Sequence, residues 1–264
     1  MHISEFVRII EKVLPPVTAM DGDRIGVQVF TGNGEVHSVL TCLEITDSVI
    51  DEALLNACDC IVTFHPLLFS PLKIVTTTNR IGRCVTRAIK HDISIIAVHT
   101  NYDAYPQGTN FLLAEKLGLV PERALVADET VAGYGMGLVC SCKQPMSVTE
   151  LVEKVREVCG SPVRYSEGPN SRITHVAIVG GSGTSFLRNA VASGAQAFIT
   201  ADVKYHTFHE ASESICLIDP GHFEMEQFVP EGLAKLLQEE SKDFENAPVF
   251  RFTSCNTNPV RYTI

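Results

Sequence analysis

Strand-length apolar runs alternate along this chain with amphipathic helical stretches, and no other feature constrains the fold as much. Cys60-Ile61-Val62-Thr63, the run inside DISIIAVH (92–99), HVAIV (175–179) and AFIT (197–200) are such runs. HISEFVRIIEKVLPP at the N-terminus and TELVEKVREVC (149–159) place apolar residues at helical spacing instead. Short runs of β-formers alternating with helices predict α/β layers with mostly parallel sheets.

The pattern also repeats. SEFVRIIEKVL (4–14) resembles TELVEKVREVC, each with a Ser or Thr placed to cap a helix. EVHSVLTCLEIT (35–46) resembles RITHVAIVGGSG (172–183), and EALLNACDCIVTFH (52–65) resembles NAVASGAQAFITAD (189–202). The offsets are nearly constant, about 137–145 residues, which predicts two similar α/β halves with a cleft between them. The polar stretch PERALVADETVA (121–132) places the division at 1–125 and 126–264.

Composition narrows the function classes. Net charge is −10, from 21 basic and 31 acidic residues, which argues against a nucleic-acid or anionic-membrane surface. No stretch approaches about 18 consecutive apolar residues, so no membrane span is expected. Nine cysteines without CxxC spacing read as reduced, buried thiols of a cytoplasmic protein.

A fourth pair of segments carries the chemistry. DISIIAVHTNYD (92–103) and SICLIDPGHFEME (214–226) each run from a strand into a histidine loop. A carboxylate follows each histidine by four residues: His99 to Asp103, and His222 to Glu226. His65 also follows a strand, in IVTFHP. Ligands of α/β folds gather at the carboxyl ends of strands. Imidazole and carboxylate are ligands of Zn, Fe and Mn, and two ions about 3.5–4 Å apart can share an activated water. Plainer readings compete at each position: His99 bonding its own loop, Asp103 in an Asx-turn, Glu226 in a solvated first helical turn.

Two further stretches are candidates. Gly180-Gly181-Ser182-Gly183 is a strand-to-helix turn that could cradle phosphate, though it lacks P-loop and dinucleotide-fold spacing. Lys204 and His206 follow AFIT in a polar cluster with Asp202 and His209, as a phosphate anchor or an acid/base.

IVTFHPLLF (61–69), AVHTNYDAYPQGTN (97–110), HVAIVGGSG (175–183), GAQAFITADVKYH (194–206) and IDPGHFEMEQF (218–228) together resemble the NIF-three-like family, also known as type 2 GTP cyclohydrolase I or dinuclear metal-centre proteins. MDGDRIGVQV (20–29) is similar to that family's early loop. The resemblance implies a two-ion site between the halves and a homohexamer built as a trimer of dimers. It carries metal-ligand roles to His65, Asp103, His222 and Glu226, with Glu226 bridging. Where the family has two adjacent histidines, this chain has Phe64-His65, and phenylalanine cannot bind a metal. The second ion thereby loses a ligand unless His99 or water replaces it, leaving one or two ions per chain. The resulting expectation is a divalent-metal hydrolase acting on a nucleotide-like or other small substrate through metal-activated water. The alternative is a non-catalytic metal-binding ring scaffold or regulator with an eroded second site.

Overall fold

The computed structural model describes residues 1–32 and 34–263. They form two compact units: Met1–Tyr102 with Val229–Thr257, and Asp103–Phe228 with the residues from Asn258 on.

The first unit opens with α1 (Ile3–Val13), whose apolar face buries Phe6, Ile9, Ile10 and Val13. Then come β1 (Gly26–Val29), β2 (Ser38–Cys42), α2 (Asp47–Leu55), β3 (Cys60–Thr63), α3 (Arg80–Lys90) and β4 (Ser94–Ala97). The short α4 (Thr100–Ala104) carries the chain into the second unit. That unit contains α5 (Thr109–Lys116), β5 (Val120–Ala127), β6 (Gly135–Ser147), α6 (Val148–Cys159), β7 (Arg164–Ser166) and β8 (Arg172–Ile178). It continues with α7 (Leu187–Ala192), β9 (Ala197–Ile199), α8 (Tyr205–Ser212), β10 (Cys216–Asp219) and α9 (His222–Glu226). The chain then returns to the first unit as α10 (Val229–Ser241) and β11 (Val249–Phe252).

The halves read from the sequence differ from these units. PERALVADETVA lies in β5 and the turn after it, inside the second unit, and the crossing comes earlier, at Tyr102/Asp103. Asp103 therefore belongs to the second unit.

The first sheet has the order β1-β4-β3-β2-β11, with β4, β3, β2 and β11 parallel and β1 antiparallel at the edge. The second has the order β5-β6-β8-β9-β10-β7. Only β8-β9-β10 is parallel there; the other pairings are antiparallel, so parallel strands dominate the first sheet but not the second. The runs β2-α2-β3-α3-β4 and β8-α7-β9-α8-β10 share one connectivity, as the repeat predicts.

Register sets up the strand-end loops. Thr63 pairs with Ala97, so Phe64-His65 and Val98-His99 leave the first sheet at the same edge. Ile178 and Ile218 both pair with Ile199, so Gly180, Asp202 and His222 follow from level strand ends in the second.

Alternation along strands builds the cores. In the first unit Leu40, Ile61 and Ile95 pack with Val49, Ile50 and Val85 from α2 and α3. In the second, Val176, Ile178, Ile199 and Ile218 face Leu113, Leu151 and Val155 on one side of the sheet. The intervening Ala177, Phe198 and Leu217 face Leu187 and Ala190 on the other. Each fully buried side chain of this size contributes about 1.5–3 kcal/mol, which lets four-residue strands hold the loops firmly.

Two helix caps differ from expectation. His2, not Ser4, caps α1. Ser147, not Thr149, caps α6 in a reciprocal capping box with Glu150. All nine cysteines are free thiols, seven of them buried. Among the described residues, no helix is long and apolar enough to cross a membrane.

Candidate metal centre

In the first unit two histidines leave adjacent strands, and each meets a carboxylate through Nδ1. His99 Nδ1 lies 2.8 Å from Asp23 Oδ1, and Thr100 donates to Asp23 Oδ2 through its backbone N–H and its hydroxyl. Asn101 accepts from His99 N and donates to Leu14 O, so the whole His-Thr-Asn turn is pinned. His65 Nδ1 lies 3.4 Å from Glu44 Oε2, and Arg80 grips the other oxygen of Glu44 at 2.6 Å. Burial alone would raise both acids. The bonds from His99 and Thr100 hold Asp23 well below the usual carboxylate range, and those from His65 and Arg80 lower Glu44. Both therefore stay ionised and keep the proton on Nδ1 of each imidazole.

Phe64 is fully buried. Its ring lies 5.0 Å from that of His65 and stands edge-on to His99 at 5.5 Å. It is the apolar wall between two imidazoles.

The second unit repeats the device. Asp202 follows β9 with a left-handed φ of 56°, a conformation aspartate tolerates better than most residues. Its Oδ2 lies 2.8 Å from His222 Nδ1 and accepts from the Ser182 hydroxyl. Burial pushes the Asp202 carboxyl up, but Ser182 and His222 bring it below its ordinary value. His222 and Glu226 occupy the two ends of the single-turn α9, one above the other, with Nε2 and Oε2 3.2 Å apart. Glu226 is 2% exposed.

A proton held on Nδ1 by Asp202 makes Nε2 a lone-pair donor aimed at a carboxylate oxygen. Two such groups repel unless a proton or a metal ion lies between them. Metal–nitrogen and metal–oxygen bonds of about 2.1 Å place neighbouring ligands about 3.0–3.4 Å apart in octahedral or tetrahedral geometry, which brackets the observed pair. The backbone leaves room for this. A Cβ on Gly181, whose φ is 58°, would stand 2.6 Å from Glu226 Oε1 and 3.1 Å from the His222 ring. The donor set and this cradle fit a divalent cation.

Asp103 belongs to the same unit and is buried, the residue being 8% exposed. Asn110 donates to the Asp103 carbonyl and accepts from Gly180 N, tying Asp103 to the glycine turn.

A family profile, Duf34/NIF3 (NGG1p interacting factor 3), matches residues 1–259. The chain belongs to this family. A relative from Streptococcus pneumoniae named GTP cyclohydrolase 1 type 2 homolog is 31% identical, covering 99% of this chain and 100% of the relative. One of the same name from Clostridium perfringens is 32% identical over 86% and 87%. The crystal structure of Staphylococcus aureus hypothetical protein SA1388 superposes with a TM-score of 0.91 at 26% identity, covering 100% and 99% of the two chains. Reduced HcgD from Methanocaldococcus jannaschii superposes at 0.73 with 25% identity, covering 95% and 97%.

The remaining candidates of this Duf34/NIF3 chain lie on the glycine turn and at the start of α8. In the glycine turn, Gly180 N donates to Asn110 and Gly183 N to Thr200 Oγ1, so these amides do not face an anion. Lys204 precedes α8 as its cap residue, and His206 lies exposed on that helix with its ring against Tyr205. Sequence reading missed Glu44 and Asp23 altogether, and took Asp202 as a loop acid rather than the partner of His222. The one signal for Asp23 was the MDGDRIG block.

Proposed function

We propose that this chain is a divalent-metal-dependent hydrolase acting on a nucleotide-like or other small substrate. His222 and Glu226 hold the ion, and His65 and Asp103 complete its ligand set. The observation that carries the reading is the His222 Nε2–Glu226 Oε2 pair at 3.2 Å with Nδ1 anchored on Asp202. A carboxylate behind a histidine fixes the tautomer and strengthens the nitrogen as a ligand. The same arrangement behind His65 and His99 supports giving His65 a ligand's role and His99 that of a substitute. A divalent ion there would polarise water or a substrate oxygen, and its identity among Zn, Fe and Mn is left to experiment.

The chain's own residues do the rest. Asp202 orients His222, Asp23 orients His99, and Glu44 orients His65. Glu226 supplies a buried carboxylate whose second oxygen faces Gly181. The nucleotide-like substrate is supported by the name of the relatives, GTP cyclohydrolase 1 type 2 homolog. Free thiols throughout support a reducing, cytoplasmic setting. Assembly as a homohexamer, a trimer of dimers, is proposed from the resemblance, and light scattering measures it.

A second reading, a non-catalytic metal-binding scaffold or regulator, is favoured by one observation. Phe64 fills with apolar ring the position where the family's other histidine is expected, which favours a single ion over two. Elemental analysis of protein purified without chelator tests the shared claim: near-stoichiometric metal that falls in His65→Ala and His222→Ala is expected, and metal-free protein overturns it. Phe64→His divides the readings. Hydrolysis rising together with ion content favours the enzyme; ion content rising alone favours the scaffold.

A further inference from the structure

A cleft of about 340 Å³ opens in the second unit with Asp103 in its lining. That volume sits at the small end of ligand pockets, about 300–1,000 Å³, and suits a single ring system with few substituents. Tyr105 and Phe111 contribute aromatic surface, and the Tyr105 ring lies 5.9 Å from that of Tyr134. Alternate positions of the β5–β6 hairpin, Gly133, Gly135 and Gly137, carry no side chains. None could be added cheaply at two of them. A Cβ on Gly135 would reach Ala124 Cβ at 2.7 Å, and one on Gly137 would reach Val179 Cγ2 at 2.7 Å. The lining there is bare peptide, a flat wall without side chains.

The cleft is joined to the ion-binding pair through one side chain. Asn110 lines it, holds the Asp103 carbonyl at 3.0 Å and holds Gly180 N at 2.8 Å, next to the Gly181 cradle of His222 and Glu226. A molecule seated in the cleft therefore presents one end to a proposed ligand of the ion.

Charge decides which part of a substrate fits. The charged lining groups are Asp103, Glu122 and Arg123, a net of −1. The Arg123 guanidinium already donates to the carbonyls of Ala124 and Ser193. Nothing here would offset a polyphosphate. A planar, uncharged nitrogen heterocycle suits this lining: Tyr105 and Phe111 to stack on, a flat glycine wall beside them, and acidic side chains that attract its N–H groups.

We propose that this cleft binds the ring portion of the substrate, a nucleobase-sized neutral heterocycle, and leaves phosphates outside. This rests on the nucleotide-like substrate proposed above and names the part of it that is recognised. The test is calorimetric titration of guanosine and of GTP into metal-stripped protein. Guanosine is expected to bind saturably, with GTP no tighter. Tyr105→Ala should weaken guanosine about tenfold, the loss of one stacking partner, while Tyr105→Phe retains binding. Gln107→Trp, at an exposed position of the lining, should also block the cleft and covers the case in which Tyr105→Ala fails to fold. No saturable guanosine binding, GTP binding more than about tenfold tighter than guanosine, or binding indifferent to both Tyr105→Ala and Gln107→Trp each overturns the proposal. Because the titration uses metal-stripped protein, it stands or falls separately from the metal content found by elemental analysis.

Discussion

Replacing Asp202 by glycine should weaken divalent-ion binding about tenfold while leaving the fold standing. Losing the partner behind a ligating histidine costs about 10–100-fold in metal affinity, or about 1.4–2.7 kcal/mol. The Asp202 side chain is 54% exposed, so water screens its carboxylate and the lower end of that range applies. Backbone strain must be separated from this loss. At a φ of 56°, alanine would add about 1–2 kcal/mol of left-handed strain that glycine avoids. Asp202→Gly and Asp202→Ala should therefore lose the same metal affinity, while Asp202→Ala melts lower. Asp202→Asn keeps a hydrogen-bond acceptor for Nδ1 without the charge and should lose less than either. Competition of each variant with a chromophoric chelator for Zn²⁺, beside thermal melts of the metal-free proteins, reads the two quantities independently. Asp202→Gly binding Zn²⁺ as tightly as the parent would refute the idea that Asp202 sets the ligand nitrogen of His222.

Three other perturbations follow from the same geometry. Gly181→Ala should abolish ion binding by elemental analysis, because its Cβ would come within 2.6 Å of Glu226 Oε1, and should cost about 1 kcal/mol in melts from its φ of 58°. Asp23 is held below its ordinary pKa in the fold, so the unfolded chain takes up its proton first, near pH 3.9 or roughly so. Its contribution to stability is complete above that pH and drains as pH falls through it, and acid titrations of melting temperature should show a shallower decline for Asp23→Asn. Asn258→Ala removes the donor 2.6 Å from the buried Glu224 Oε1 on α9; denaturant unfolding should show a loss of about 1–3 kcal/mol.

The parallel heart of each unit was legible because its signals are local. Cys60–Thr63 is buried at all four positions and so reads as an unbroken apolar run. Ser94–Ala97, with the same burial, does so with one serine. The H-x₃-carboxylate spacing was legible too, since a single helical turn is enough to bring Glu226 to His222. The hairpin of β5 and β6 was not. β5 runs along a sheet edge with Leu125 as its one buried residue, so its polar composition imitates a linker. The carboxylates behind the histidines were hidden for another reason. Asp23 is separated from His99 by 76 residues and Glu44 from His65 by 21, and no periodicity in a single sequence marks such pairs. The return of α10 and β11 to the first unit is equally non-local: β11 is a four-residue strand at the sheet edge, paired with β2.

The repeat also gives Phe64 a physical reading. At the offset of 137 residues that aligns the two β-α-β runs, His65 corresponds to Asp202 and Phe64 to Ala201. The strand end thus provides an imidazole in one unit and the acid that orients an imidazole in the other, so the position is fixed by the fold and its chemistry is free to differ. Ala201 is buried in the core of the second unit, just as Phe64 is buried in the first. A packed apolar side chain before the strand-end polar residue is therefore something this topology accommodates on its own terms. A histidine at position 64 would have to satisfy its ring nitrogens in a fully buried place, which costs stability unless a metal ion or a hydrogen-bond partner meets them. Phenylalanine removes that cost and still walls His65 and His99. The exchange is favourable for the fold, and under the proposed function its cost falls on a second ion.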